Sequence, residues 1–227
     1  MHSCLVGSEM CIRDSPKGKE ETTNTWKFYA PDVHDFAWAA DPDYIHDIKK
    51  SESGVDLHFF YKPTVNVDDW KKLQDDSVKL MKYFEESIGP YPWKQYSIIQ
   101  GGDGGMEYAM CTMITGERPY PSLLGVTAHE MAHAWFQHLL ATNEAKHAWM
   151  DEGFTEYVTS LSENYVNDVD PEFPHKSSYD RYYLLASSGF EQAQTIHSDR
   201  YDYNFAYGAS AYSKGSVFLS QLGYIIG

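Results

Sequence analysis

At 227 residues the chain can fill one good core, or one domain and part of a second, and its 42% hydrophobic and 22% charged content is that of a globular protein. A formal net charge of −15 at pH 7 argues against nucleic acid and anionic membrane surfaces as partners, since both would repel it. No apolar run reaches the length of a membrane span, and with Cys4 and Cys11 in a stretch that does not read as native, Cys111 alone cannot form an internal disulfide.

Residues 1–15, MHSCLVGSEMCIRDS, follow neither a helical nor a strand period and read as a translated cloning scar, so they are left out of the fold. Between 24 and 61 the signals are those of strands. Trp26, Phe28 and Ala30 alternate with polar neighbours, 35–40 is aromatic and apolar, and Val55, Leu57 and Phe59 alternate again behind the turn Ser51-Glu52-Ser53-Gly54. His34, Asp35 and His46 are scattered over these strands and read as structural polar residues rather than as a metal site. From 67 to 88, Trp70, Leu73, Leu80, Met81, Phe84 and Ile88 make the apolar face of an amphipathic helix, which Gly89-Pro90-Tyr91-Pro92 stops. A short strand at 96–100 and a glycine-rich loop at 101–105 lead into a predicted strand at 106–115.

The next helix is predicted behind Pro119 and Pro121, with Ser122 as its N-cap and Leu123, Leu124, Val126, Ala132, Trp135, Phe136 and Leu139 on its buried face. It carries His129-Glu130-Met131-Ala132-His133. Two histidines four apart lie about 40° from each other around a helix axis and one turn apart, so both imidazoles can reach one metal ion. Glu130 flanks that face, where a carboxylate can touch a water on the metal without being a ligand.

Eighteen residues separate His133 from Glu152, which offers a third ligand on a further helix that Asp151 is placed to cap. Two His and one Glu leave the fourth position of a tetrahedral Zn²⁺ open, as in catalytic rather than structural sites. Glu156 falls on the same face as Glu152 and is a candidate acceptor for the outer N–H of a ligand histidine. A tyrosine-rich helix is predicted at 175–187, and His138, His147, His175 and His197, which lack ligand spacing, read as polar surface or groove residues. From Tyr207 a final helix carries Tyr212, Val217, Phe218, Leu219 and Leu222. It reaches Ile226-Gly227 without a cap, as expected of a fragment.

With these landmarks in place the chain resembles a zinc metallopeptidase of the gluzincin group. Gly104-Gly105-Met106-Glu107-Tyr108 resembles the G-x-M-E-N motif of the M1 aminopeptidases, and Tyr212-Ser213-Lys214-Gly215 resembles that family's Y-x-K-G segment. All the landmarks stand in the family's order, over about residues 20–227. Tyr108 stands where the family most often has Asn, and Gly105 where Ala is common.

The resemblance implies an α+β fold: a thermolysin-like catalytic domain at 65–227, truncated at its C-terminal end, preceded at 16–64 by the last strands of an N-terminal β domain. It implies a metallo-aminopeptidase with one Zn²⁺ on His129, His133 and Glu152, hydrolysing the N-terminal bond of peptides that have a free amino end. Glu130 would be the general base, Tyr212 the donor to the oxyanion, and Gly104, Gly105, Met106 and Glu107 the substrate-binding segment, with Glu107 on the α-ammonium. Three other readings stay open at this level. One is an endopeptidase of the same metal class, which would not need Glu107; another is an epoxide hydrolase, as in one branch of the family; the third is a peptide-binding scaffold with a dead site.

Overall fold

Leu57, Phe59 and Tyr61 alternate along one strand and all are fully buried, which makes β6 (Asp56–Tyr61) an inner member of the sheet on which the fold is built. The computed structural model describes residues 4–7, 10–11, 27–63, 66–102 and 104–227, so Trp26 lies outside the described residues. Four short strands come first: β1 (Cys4–Gly7) pairs antiparallel with β4 (Trp38–Asp41), and β2 (Met10–Cys11) with β3 (Lys27–Phe28). The main sheet has five strands in the order β5 (Ile45–Lys50), β6, β7 (Gln95–Gly101), β9 (Cys111–Thr115) and β8 (Gly105–Tyr108). β6, β7 and β9 run parallel, while β5 and β8 close the two edges antiparallel to their neighbours. The sheet therefore runs across the boundary expected between residues 64 and 65, because β5 and β6 share it with β7, β8 and β9.

Parallel neighbours require a crossover, and α1 (Val67–Ser87) supplies it between β6 and β7. Its residues Trp70, Leu73, Leu80, Met81 and Phe84 are all buried, each contributing on the order of 2 kcal/mol. That sum outweighs any cap, and the helix forms although Asn66 at its start makes no side-chain cap bond. The predicted strand at 106–115 is instead a hairpin, β8 and β9, turning at Ala109 and Met110. No glycine marks the turn; Met110 itself takes the left-handed conformation, with φ of 60°, and Asp35 accepts the Ala109 N–H at 3.0 Å.

The helices come after the sheet: α2 (Tyr120–His133), a π-helical segment Ala134–Leu139, α3 (Ala148–Val166), α4 (Lys176–Ser188), α5 (Asn204–Gly208), a second π segment Ala209–Lys214, and α6 (Gly215–Ile226). α2 begins earlier than expected. Pro119 is its N-cap, Pro121 sits in a first turn whose N–H groups have no helical partner, and Ser122 uses its hydroxyl to accept from Arg118 instead. Trp135 anchors the π segment, packed on Phe84 and Tyr91 and donating from its indole to the Gly89 carbonyl at 2.9 Å. Leu139, expected in the core, is 46% exposed at the end of that segment. No helix among the described residues is long and apolar enough to cross a membrane.

Candidate metal centre

The i, i+4 spacing of His129 and His133 survives to the last turn of α2, so their rings face one another edge-to-face with Nε2 atoms 3.2 Å apart. α3 lays Glu152 against both, with Oε2 at 3.1 Å from His129 Nε2 and 3.3 Å from His133 Nε2. The three donor atoms thus mark a nearly equilateral triangle. Ligand bonds of about 2.0–2.1 Å at tetrahedral angles give edges of roughly 3.3 Å, so this donor set has the size and chemistry that Zn²⁺ requires.

Groups behind the triangle orient it. Asp151 Oδ1 lies 2.8 Å from His133 Nδ1, and Thr155 Oγ1 is within hydrogen-bonding distance at 3.2 Å. Asp151 therefore does not cap α3, which begins at Ala148 with His147 in the cap position; its carboxylate turns inward to the histidine. Glu156 faces His129 Nδ1 at 3.7 Å, too far for a hydrogen bond. Such partners fix ring orientation and tautomer. Burial would raise the Glu152 carboxyl, but the imidazoles of His129 and His133 outweigh it and hold it well below the usual carboxylate range. Burial would lower His133, yet Asp151 and Glu152 outweigh that and hold it well above the ordinary histidine value.

Glu130 is not part of the triangle. Its carboxylate is buried, and Oε2 has no hydrogen-bond partner among the described residues. Burial raises its pKa, while His129 and His133 pull the other way. Its main chain is fixed from below: the Tyr96 hydroxyl, on β7, donates to the Glu130 carbonyl at 3.0 Å. From the front, β8 passes so close that a Cβ on Gly105 would stand 2.3 Å from Glu130 Oε1 and 2.7 Å from Val126 Cγ2. Glycine at 105 lets strand and carboxylate meet without an intervening side chain.

β8 carries Glu107 into the same cleft, and one ligand atom each of Glu107, Glu130 and His133 lie within 4.8 Å of one another. Burial pushes Glu107 up to about 7, against the pull of His133. Gly105 and Met106 line the cleft with it, whereas Gly104 stands one residue back, its carbonyl accepting from Arg118 at 2.7 Å.

Tyr212 comes from the second π segment. Its ring stacks on His129 at 5.6 Å, and its hydroxyl donates to Glu152 Oε1 at 2.7 Å. Burial and the facing carboxylate push the phenol far above its ordinary pKa, so it remains a protonated donor. What places Tyr212 is a helix crossing without side chains. A Cβ on Gly153 would stand 2.7 Å from Gly215 Cα, and one on Gly215 would stand 2.6 Å from Gly153 Cα.

The cleft, of about 380 Å³, is also lined by Glu144, Ala145, Ser198 and Tyr207, none of which sequence reasoning placed in the site. Ala145 and Ser198 come from segments far apart in the chain, joined by Ser198 N–H donating to the Ala145 carbonyl at 2.9 Å, a pairing with no local signature. Two histidines expected to be polar surface or groove residues are buried: His138, and His175, which stacks on Tyr157.

A leucine aminopeptidase 2 of Chaetomium globosum is 28% identical over 171 residues, covering 69% of this chain and 28% of that protein. A leukotriene A-4 hydrolase of Xenopus laevis is 35% identical over 92 residues, 37% of this chain and 15% of the relative. The chain thus spans less than a third of the length of these relatives. Among solved structures, yeast LTA4 hydrolase in complex with bestatin superposes with a TM-score of 0.73 at 22% identity, over 99% of this chain and 36% of that one. A variant of the M1 zinc metallopeptidase of Deinococcus radiodurans, bound to a Tyr-Ser-Ala substrate, gives 0.74 at 16% identity, over 99% and 50%. These likenesses establish the fold. Residues 73–227 match the peptidase family M1 domain, a span that holds both α2 histidines, the α3 glutamate and Tyr212, and the chain belongs to peptidase family M1.

Proposed function

We propose that this chain is the catalytic part of a zinc aminopeptidase, which removes single residues from the free amino end of peptides. The observation that carries this reading is the donor triangle with two further carboxylates set against it, Glu130 and Glu107. His129, His133 and Glu152 would hold one Zn²⁺. Bound there, zinc would supply Lewis acidity, lowering the pKa of water toward roughly 7 and polarising a carbonyl.

Glu130 would take the proton of the attacking water on Oε2, the oxygen with no partner among the described residues, and deliver it to the departing amine. Its burial makes it a better base than a solvated glutamate. Tyr212 would donate its hydroxyl to the oxyanion as charge develops, turning from its contact with Glu152. Glu107 would receive the substrate's α-ammonium, which places the cleaved bond one residue in. The similarity to leucine aminopeptidases supports an aminopeptidase.

The test compares a free-amino aminoacyl-anilide with its N-acetylated counterpart. Free-amino substrate should be strongly preferred, and Glu107→Ala should weaken its handling by roughly 2–5 kcal/mol, the cost of removing one member of a desolvated charge pair, with far less effect on the acetylated one. Equal losses on both substrates would overturn the aminopeptidase reading and leave an endopeptidase of the same metal class.

A further inference from the structure

His138 lies five residues beyond His133, in the π segment that continues α2, and its side chain takes no part in the proposed peptidase chemistry. It is only 6% exposed, and neither Nδ1 nor Nε2 has a hydrogen-bond partner among the described residues. A buried imidazole normally gives its N–H to some acceptor, so a ring with both nitrogens unused calls for an explanation. Its neighbours supply one. The His34 ring stacks on it, with centroids 5.0 Å apart and planes at 24°, and Asp35 lies beside both. One ligand atom from each of His34, Asp35 and His138 is within 4.8 Å of the other two.

We propose that His34, Asp35 and His138 form a second site for a divalent transition cation, separate from the donor triangle of His129, His133 and Glu152. Two imidazoles and a carboxylate suit zinc or its neighbours in the first transition row, and suit Mg²⁺ or Ca²⁺ poorly. Burial lowers His138 to about 4, so its ring is neutral, as a ligand must be, at neutral pH. Asp35 accepts the Ala109 N–H on Oδ1, which anchors the carboxylate. One rotation is required: His34 must swing out of the stack to aim a nitrogen at the ion, and it is the exposed member of the set. Its open side borders a hollow of about 390 Å³ lined by Thr142, Asn143, Glu144 and Ala145. Glu144 and Ala145 also line the main cleft, so a cation held here would lie close to a wall of that cleft.

Neither the site nor its test depends on the proposed peptidase chemistry, because the measurement is a difference between two zinc counts. The native chain and His34→Ala are dialysed to equilibrium against Zn²⁺, with Mg²⁺ as control, and bound metal is counted. The native chain should hold one equivalent more than the variant, whatever the first site holds. Asp35→Asn should weaken that extra equivalent at least tenfold, since the amide keeps the Ala109 hydrogen bond and loses the charge. His138→Phe, which keeps the stacked shape, should abolish it. Equal zinc counts in the native chain and His34→Ala would overturn the proposal, as would an extra equivalent that Mg²⁺ fills as readily as Zn²⁺.

Discussion

Gly215→Ala tests whether the backbone crossing between α3 and the last helical segments sets the catalytic geometry. The new Cβ would stand 2.6 Å from Gly153 Cα and 3.1 Å from the Trp149 carbonyl oxygen, both of them main-chain atoms that cannot rotate away. Ordinary contact begins near 3.4 Å, so the two backbones must part by roughly 0.8 Å. Overpacking of this kind costs about 1–3 kcal/mol and should lower the melting temperature by several degrees. The Tyr212 hydroxyl, 2.7 Å from Glu152 in the native chain, would be carried to the edge of hydrogen-bonding range. Misplacement of a reacting group by about 1 Å costs up to 10²-fold, so turnover of an aminoacyl-anilide should fall by about 10- to 100-fold. Bound zinc, counted by atomic emission on the same sample, should not change, because its proposed ligands lie on α2 and α3 alone. Turnover within twofold of native would refute the reasoning, showing that the crossing absorbs a methyl group without moving Tyr212. Loss of zinc in step with turnover would refute it too, since Glu152 would then depend on the same contact.

Glu130→Gln should keep the metal and lose nearly all turnover, because an amide cannot accept the water's proton; loss of zinc instead would make Glu130 structural. Tyr212→Phe keeps the ring stacked on His129 and should lower turnover by about 10²- to 10³-fold with little change in KM, while near-normal turnover would reduce Tyr212 to a packing residue. On the far side of the sheet, burial and the neighbouring His46 hold His58 down to about 4, below its unfolded value of 6.5. The fold binds the neutral ring, so its stabilising contribution is complete above pH 6.5 and is lost as pH falls toward 4. His58→Gln should therefore flatten the decline in melting temperature over that interval, and an unchanged acid limb would place the decline elsewhere.

The parts of this molecule legible in the sequence are those whose spacing is local. α1 is readable from an apolar face repeated over 67–88, and the pair His129 and His133 from a single helical turn. Glu152 requires only a count along the chain, and Glu107 and Tyr212 are reached through motifs rather than through physics. What escapes depends on contacts between distant segments. Asp151 has the composition of a helix cap, and only the approach of α2 turns it into the partner of His133. The hairpin at Ala109 and Met110 has no Gly, Asn or Asp to announce it, because the turn is held by Asp35, far back in the chain. The two π segments add a residue to a turn, which shifts the facing of every residue beyond them. That shift hides the burial of His138 from any count made at helical spacing.

β8 is the last strand of its sheet, and its edge position bears on selectivity. A strand at an edge offers amides and carbonyls, which every peptide can match whatever its side chains, so a substrate extended along β8 would be gripped by features common to all sequences. Discrimination would then concentrate at one end, where the proposed role of Glu107 would require a charge and a cleft of about 380 Å³ would bound the size of the first side chain. A protein built this way would be strict about where a chain begins and indifferent to most of its later residues.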